Sequence, residues 1–174
     1  MIGESALGGV GIKNSTFVIP NGVVTIGKNA LMGFHSTLKV NPSVDLIIPD
    51  SVLTISESSF GMANFRTIKF SNSIRTIPIR AVQGNENLIN VILPSNLLNI
   101  EEGAFSNCSE LKEIKLPNTV QTIGEHVFNN CILPTDINIP GSMQTIGANA
   151  FAGCRRLFNV TMQSENLNGF PKGF

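Results

Sequence analysis

Cys108, Cys131 and Cys154 stand 23 residues apart, and thiols at a fixed interval invite a metal site, a disulfide or a nucleophile. Zinc wants thiolates or imidazoles converging within ~2.3 Å of the ion, commonly from a C-x₂₋₄-C spacing. That spacing does not occur, and neither His35 nor His126 falls in the cysteine column. Adjacent repeats could bring two cysteines into disulfide reach, but three in a row cannot all pair. The expectation is a line of small, buried, reduced thiols, because free Cys is among the most buried residue types. No metal, no cofactor and no catalytic role is expected of them.

Other groupings fare no better as catalysts. A nucleophile, its base and an orienting group must converge within hydrogen-bond reach, and the two histidines occupy unrelated repeat positions. The paired carboxylates Glu101-Glu102 read as a solvated turn. Gly8-Gly9-Val10-Gly11 lacks the Lys-Ser/Thr that a phosphate loop needs, so it reads as a turn between a partial first coil and the next strand. Sequons at Asn14, Asn107 and Asn159 are glycosylation acceptors only in a secretory host, and a chain rich in Asn produces such matches by chance. The sequence predicts a protein that is not an enzyme.

What positions all these groups is a repeat. Asn90–Pro94, Glu113–Pro117, Asp136–Pro140 and Asn159–Gln163 say nearly the same thing, each starting 23 residues after the last. Fixed self-similarity at a period of 20–50 residues marks a solenoid or array. Anchored on the last residue of each run, the row is Pro20, Pro49, Ser71, Pro94, Pro117, Pro140 and Gln163. Apolar residues three and one before the anchor, from Phe17/Ile19 to Val160/Met162, give the period-2 mark of a strand with one buried face. A proline just after the run ends the ladder through its missing N–H.

Downstream columns are as regular. Thr25-Ile26, Thr54-Ile55, Thr76-Ile77, Asn99-Ile100, Thr122-Ile123 and Thr145-Ile146 suggest a second, very short strand, Ile inward and Thr outward in a hydroxyl ladder. Gly27, Gly124 and Gly147 follow as a turn signal needing freedom of φ. A small-then-large pair comes next, as in Ala104-Phe105 and Ala150-Phe151, read as a single helical or 3₁₀ turn with the large residue filling the layer. In the regular coils Leu88, Leu111 and Leu157 then open the next strand.

The columns spell roughly L-x-x-I-x-L-P-x-x-V-x-T-I-G-x-x-A-F-x-x-C, with Leu111 to Cys131 the closest fit. This pattern resembles the BspA-like class of leucine-rich repeats of bacterial and protozoan surface proteins. The resemblance covers essentially the whole chain and is strongest over residues 86–163. It implies a right-handed superhelix with a parallel β-sheet on its concave side, and a cell-surface or secreted setting. Residues 1–174 then form one leucine-rich-repeat array of about seven coils, with partial coils at both ends. Seven rows at ~4.8 Å would span roughly 30 Å.

Composition narrows the function. Twelve basic and 12 acidic residues cancel, and no basic stripe of the kind nucleic-acid binders carry is visible; Arg155-Arg156 reads as solvated surface. No Trp or Tyr is present, which weighs against sugar or single-strand binding by stacking. No apolar run approaches the ~18 residues of a membrane span. No signal peptide is visible, since Met1-Ile2-Gly3 leads straight into repeat-like sequence.

The default binding face of such a solenoid is the outward stripe of the concave strands. It comprises Thr16/Val18, Asp45/Ile47, Thr67/Lys69, Asn90/Ile92, Glu113/Lys115, Asp136/Asn138 and Asn159/Thr161. Exposed aliphatics among polar neighbours suit a protein partner. The expectation is therefore a protein-binding or adhesion module. The rivals are a structural spacer or oligomerisation segment and, more remotely, an enzyme. Phe170 and Phe174 predict an apolar end layer, which implies either a piece of a longer repeat protein or end-to-end self-association, with the excess residues around Phe34–Leu38 as an alternative reading, a partial cap at the other end.

Overall fold

The computed structural model describes residues 1–36 and 43–163. The expected end layer at Phe170 and Phe174, and the Thr37-Leu38 part of the expected cap, lie outside them. The described chain is a parallel-strand β-solenoid. In order its strands are β1 (Gly11–Ile12), β2 (Thr16–Val18), β3 (Thr25–Ile26), β4 (His35–Ser36), β5 (Val44–Ile47), β6 (Thr54–Ile55) and β7 (Phe65–Lys69). There follow β8 (Thr76–Ile77), β9 (Asn90–Ile92), β10 (Asn99–Ile100), β11 (Glu113–Ile114), β12 (Thr122–Ile123), β13 (Asp136–Ile139), β14 (Thr145–Ile146) and β15 (Asn159–Met162).

Each coil contributes one strand to a broad sheet. Its order is β2-β5-β7-β9-β11, with β13-β15 as a separate pair. Pairing is parallel and keeps repeat positions opposite one another, as in Thr67↔Asn90 and Ile68↔Val91. The inward columns fill the core: Leu46, Ile68, Val91, Ile114 and Ile137 are buried, as are Ile48, Phe70 and Ile139. Met162, in the outermost described strand, departs from its column and is 38% exposed.

The Thr-Ile dipeptides form a second row of strands, β3-β6 and β8-β10-β12-β14, with every Ile buried. This row divides between β6 and β8. Ser56, Glu101, Gly124 and Gly147 each donate an N–H to the Ile carbonyl of the coil before, but Pro78 at that position has no N–H to give Ile55. The threonine ladder is partial and runs through an amide. Asn99 Nδ2 donates to Thr76 Oγ1 at 3.4 Å, and Thr122 Oγ1 donates to Asn99 Oδ1 at 2.8 Å.

Two expectations need correction. The segment carrying the small–large pair is neither helical nor 3₁₀. It is a run of overlapping turns in which alternate amides point in different directions. Ala30, Met32 and Phe34 donate within the coil, to Gly27, Asn29 and Leu31, while Asn29, Leu31 and Gly33 donate to Glu57, Ser59 and Gly61 of the next coil. Left-handed residues four apart make this possible: Asn29 and Gly33 at φ 54° and 70°, His126 and Asn130 at 55° and 57°, Asn149 and Gly153 at 55° and 75°. A helical turn would keep its amides along its own axis and leave the coils unjoined on this side.

Gly27, Gly124 and Gly147 are not among the left-handed residues. They are there because coils touch. A Cβ on Gly27 would lie 2.8 Å from Glu4 N, and one on Gly124 would lie 2.7 Å from Glu102 N; Gly147 meets Glu125 in the same way. The constraint is close backbone approach, not freedom of φ.

Candidate binding surface on the broad sheet

Alternation along each strand sends the residues two and four before the anchor outward. The two rows differ in chemistry. The row four before reads Thr16, Asp45, Thr67, Asn90, Glu113, Asp136 and Asn159, with acids but no base. The row two before reads Val18, Ile47, Lys69, Ile92, Lys115, Asn138 and Thr161, with bases and aliphatics but no acid. Val18 is 54% exposed and Ile92 46%, whereas Ile47 is only half-exposed beside its neighbours. Thr16, Lys69, Glu113, Lys115, Asp136, Asn138, Asn159 and Thr161 are exposed, and Asp45, Thr67 and Asn90 partly so.

Two of the three acids are already held. Arg66 clamps Asp45 through Nε to Oδ1 at 3.1 Å and Nη2 to Oδ2 at 2.5 Å, and this hydrogen-bonded partner raises the guanidinium pKa further. Asp136 accepts from Thr135 Oγ1 at 2.6 Å and from Asn159 Nδ2 at 2.5 Å. Those bonds, the Thr135 hydroxyl first, hold its carboxyl below the usual range. Glu113, Lys69 and Lys115 enter no ion pair among the described residues.

The face is not flat. A cavity of about 840 Å³ opens where β9 and β11 diverge from β13. Ile92, Leu93, Ile114 and Leu116 line it with Lys112, Glu113, Lys115, Pro134 and Asp136. Reading the repeat did not find Lys112, Leu116 or Pro134 as surface features. A signal existed, since Pro134 stands in the column that holds Leu88, Leu111 and Leu157 in other coils.

The cysteines lie elsewhere, behind the phenylalanine column. Cys108 and Cys131 are buried and Cys154 half-buried, and all three are free thiols. His35 and His126 sit in different coils, His35 Nδ1 beside the Gly33 carbonyl at 3.1 Å. Among the described residues no group of three or more His, Cys, Asp or Glu is arranged to hold a metal ion. Among them, too, no helix is long and apolar enough to cross a membrane.

The family model described as BspA type leucine-rich repeat region matches residues 1–131 and 34–158, in six copies. No curated protein sequence matches significantly. Among solved structures, a leucine-rich repeat protein from Bacteroides ovatus is similar at a TM-score of 0.74 and 19% identity, over 92% of this chain and 51% of that one. A T. pallidum leucine-rich repeat protein is similar at 0.62 and 23%, over 70% and 71%. A leucine-rich cell surface protein from Faecalibacterium prausnitzii is similar at 0.61 and 23%, over 88% and 33%. The chain thus spans about half of the first of these and a third of the last.

Proposed function

The chain belongs to the BspA-type leucine-rich repeat family, and from that premise we propose that its broad sheet is a protein-binding surface of a non-enzymatic adhesion or interaction module. One observation carries the reading. The outward stripe sets an acidic row beside a row of lysines and aliphatics, while the inward side of the same strands is spent on the core. Paired rows of opposite character two residues apart (about 7 Å along a strand) suit a partner that lies across several coils and matches both rows. Charge fixes register and encounter rate in such contacts, and the exposed Val18 and Ile92 supply desolvated area.

A setting at a cell surface agrees with the similarity to the leucine-rich cell surface protein from Faecalibacterium prausnitzii. It is carried here by family likeness. The test is capture of host or bacterial surface proteins by the intact chain and by Lys69→Glu, with Lys28→Glu as a control off the broad sheet. A partner that Lys69→Glu releases and Lys28→Glu retains supports the reading. Equal capture by both variants refutes it and favours a spacer, which loses nothing when this face changes sign.

A further inference from the structure

The broad sheet is interrupted once among the described residues beyond its continuous run, between β11 and β13, and the interruption has a cause in the sequence. In three coils the strand is entered through a Leu whose N–H closes the turn before it: Leu88 to Asn85, Leu111 to Cys108 and Leu157 to Cys154, each at 3.0 Å. Pro134 holds that position in the intervening coil and has no N–H to offer Cys131. Leu133 takes the buried place one residue early, at 0% exposure. The chain therefore enters β13 without the closed turn of the other coils. Lys112 donates to Ile89 and Phe158 to Thr135, but the corresponding bond from Thr135 to Lys112 is not made.

The ladder reflects this. β7 and β9 pair through three residues, β9 and β11 through two, β11 and β13 through none, and β13 and β15 through four. Behind the opening the coils remain joined, Gly147 N to Ile123 O at 2.7 Å and Phe128 N to Ala150 O at 2.7 Å. The result is a slot on one face only, with the edge of β11 forming one wall and the 840 Å³ cavity lying over it. Edge N–H and C=O groups are a template for another strand.

We propose that this slot takes an extended segment of a partner protein by strand addition to the free edge of β11, the segment carrying an outward basic and an outward acidic residue two positions apart over an apolar inward face. The proposal rests on the reading of the broad sheet as a protein-binding surface. Backbone pairing selects a strand as the occupant, and side-chain pockets at alternate positions select its sequence. Leu93 and Leu116 are half-buried where their counterparts Ile48, Phe70 and Ile139 are buried, so an apolar floor waits for apolar side chains. On the outward side Glu113 and Asp136 flank one position, while Lys115 and Asn138 flank the next but one. Opposite charges directly across a strand pair attract, and like charges repel. A base beside Glu113 and an acid beside Lys115 satisfy both free charges.

The test uses the intact chain and a labelled pentapeptide, Val-Lys-Val-Glu-Val, read by fluorescence anisotropy, with amide exchange as a second readout. Glu113 N–H points to Ile89 O of β9, so alternation turns the Ile114 and Leu116 amides to the open edge; these are expected to exchange freely in the free protein and to become protected on peptide binding. Methylating the peptide's backbone nitrogens on the pairing edge removes about two hydrogen bonds and should weaken binding roughly tenfold. Leu133→Glu/Pro134→Leu recreates the Glu110-Leu111 entry, should close the slot, protect the same amides without peptide and abolish binding. Lys115→Glu leaves the fold untouched and should move the preference to Val-Lys-Val-Lys-Val. A peptide that fails to bind, or binds equally well when methylated, overturns strand addition. A partner still released by Lys69→Glu would then leave the broad-sheet reading standing by itself.

Discussion

Each of the three thiols donates to a carbonyl of the preceding coil, Cys108 to Val82 at 3.4 Å, Cys131 to Phe105 at 3.1 Å and Cys154 to Phe128 at 3.1 Å. Asn85 fills the same place one coil earlier, its amide donating to Phe60 O at 2.7 Å. Burial pushes the Cys154 thiol up to about 11 and Cys108 to about 12, and Cys131 in the same direction. Because the thiolate is the nucleophile, native-state labelling at pH 8 should be slow at all three sites, with Cys154 first. Full labelling before unfolding would contradict it. The sign for stability follows. Protons stay on these thiols in the fold but leave the unfolded chain above about pH 9, so the urea midpoint should fall as pH rises from 9 towards 11–12, and less in a triple Cys→Ala variant. Phe128 makes a stricter residue-scale test. It is fully buried and stacks between Phe105 and Phe151, with ring centroids at 5.6 and 5.4 Å. Phe128→Ala should cost about 3–5 kcal/mol in chemical denaturation, and a midpoint no lower than that of a surface variant would refute the packing.

At the scale of elements, the glycines after Ile26, Ile123 and Ile146 decide how closely those coils approach the coil before. Gly124→Ala would push a Cβ against Glu102 N and should cost about 1–3 kcal/mol, as overpacking does. Gly3→Ala meets nothing within 4 Å and should stay within about 0.5 kcal/mol. Equal denaturation midpoints for the two would show that the contact gives way freely. These glycines also mark where the sequence was readable and where it was not. Strand columns, the Ile row and the buried phenylalanines were legible because period-2 alternation and repeat spacing report burial directly. The amide directions of the Asn29–Phe34 type of segment were not, because left-handed φ is carried there by residues as different as Asn29, Arg80, Met62 and His126. Side-chain type alone does not announce it. The outward stripe was legible as a set of positions. The slot beside it was hidden because it depends on one missing N–H, at Pro134, whose effect appears only when neighbouring coils are laid in register.

For the whole molecule, the two proline-linked breaks fall at different heights. The second row of strands divides between β6 and β8, where the broad sheet runs on unbroken through β5 and β7. The broad sheet divides between β11 and β13, where β12 and β14 still pair. Turn-segment amides cross both boundaries, Phe60 to Ala81 at 2.8 Å and Phe128 to Ala150 at 2.7 Å. Among the described residues no plane between adjacent coils is free of strand pairing, so no boundary offers a place for half the array to unfold alone. Stability in a solenoid is a sum of coil terms and nearest-neighbour interfaces, and with the five interfaces between the coils of β2 and β13 each intact on at least two faces the array should melt as one unit. Urea unfolding followed by far-ultraviolet circular dichroism, and by loss of protection at Cys108 and Cys154, should give coincident midpoints. Phe128→Ala should move both probes together by the same amount. Two separated transitions, with the coils before Pro78 or after Pro134 melting first, would show that a single broken face is enough to uncouple the stack.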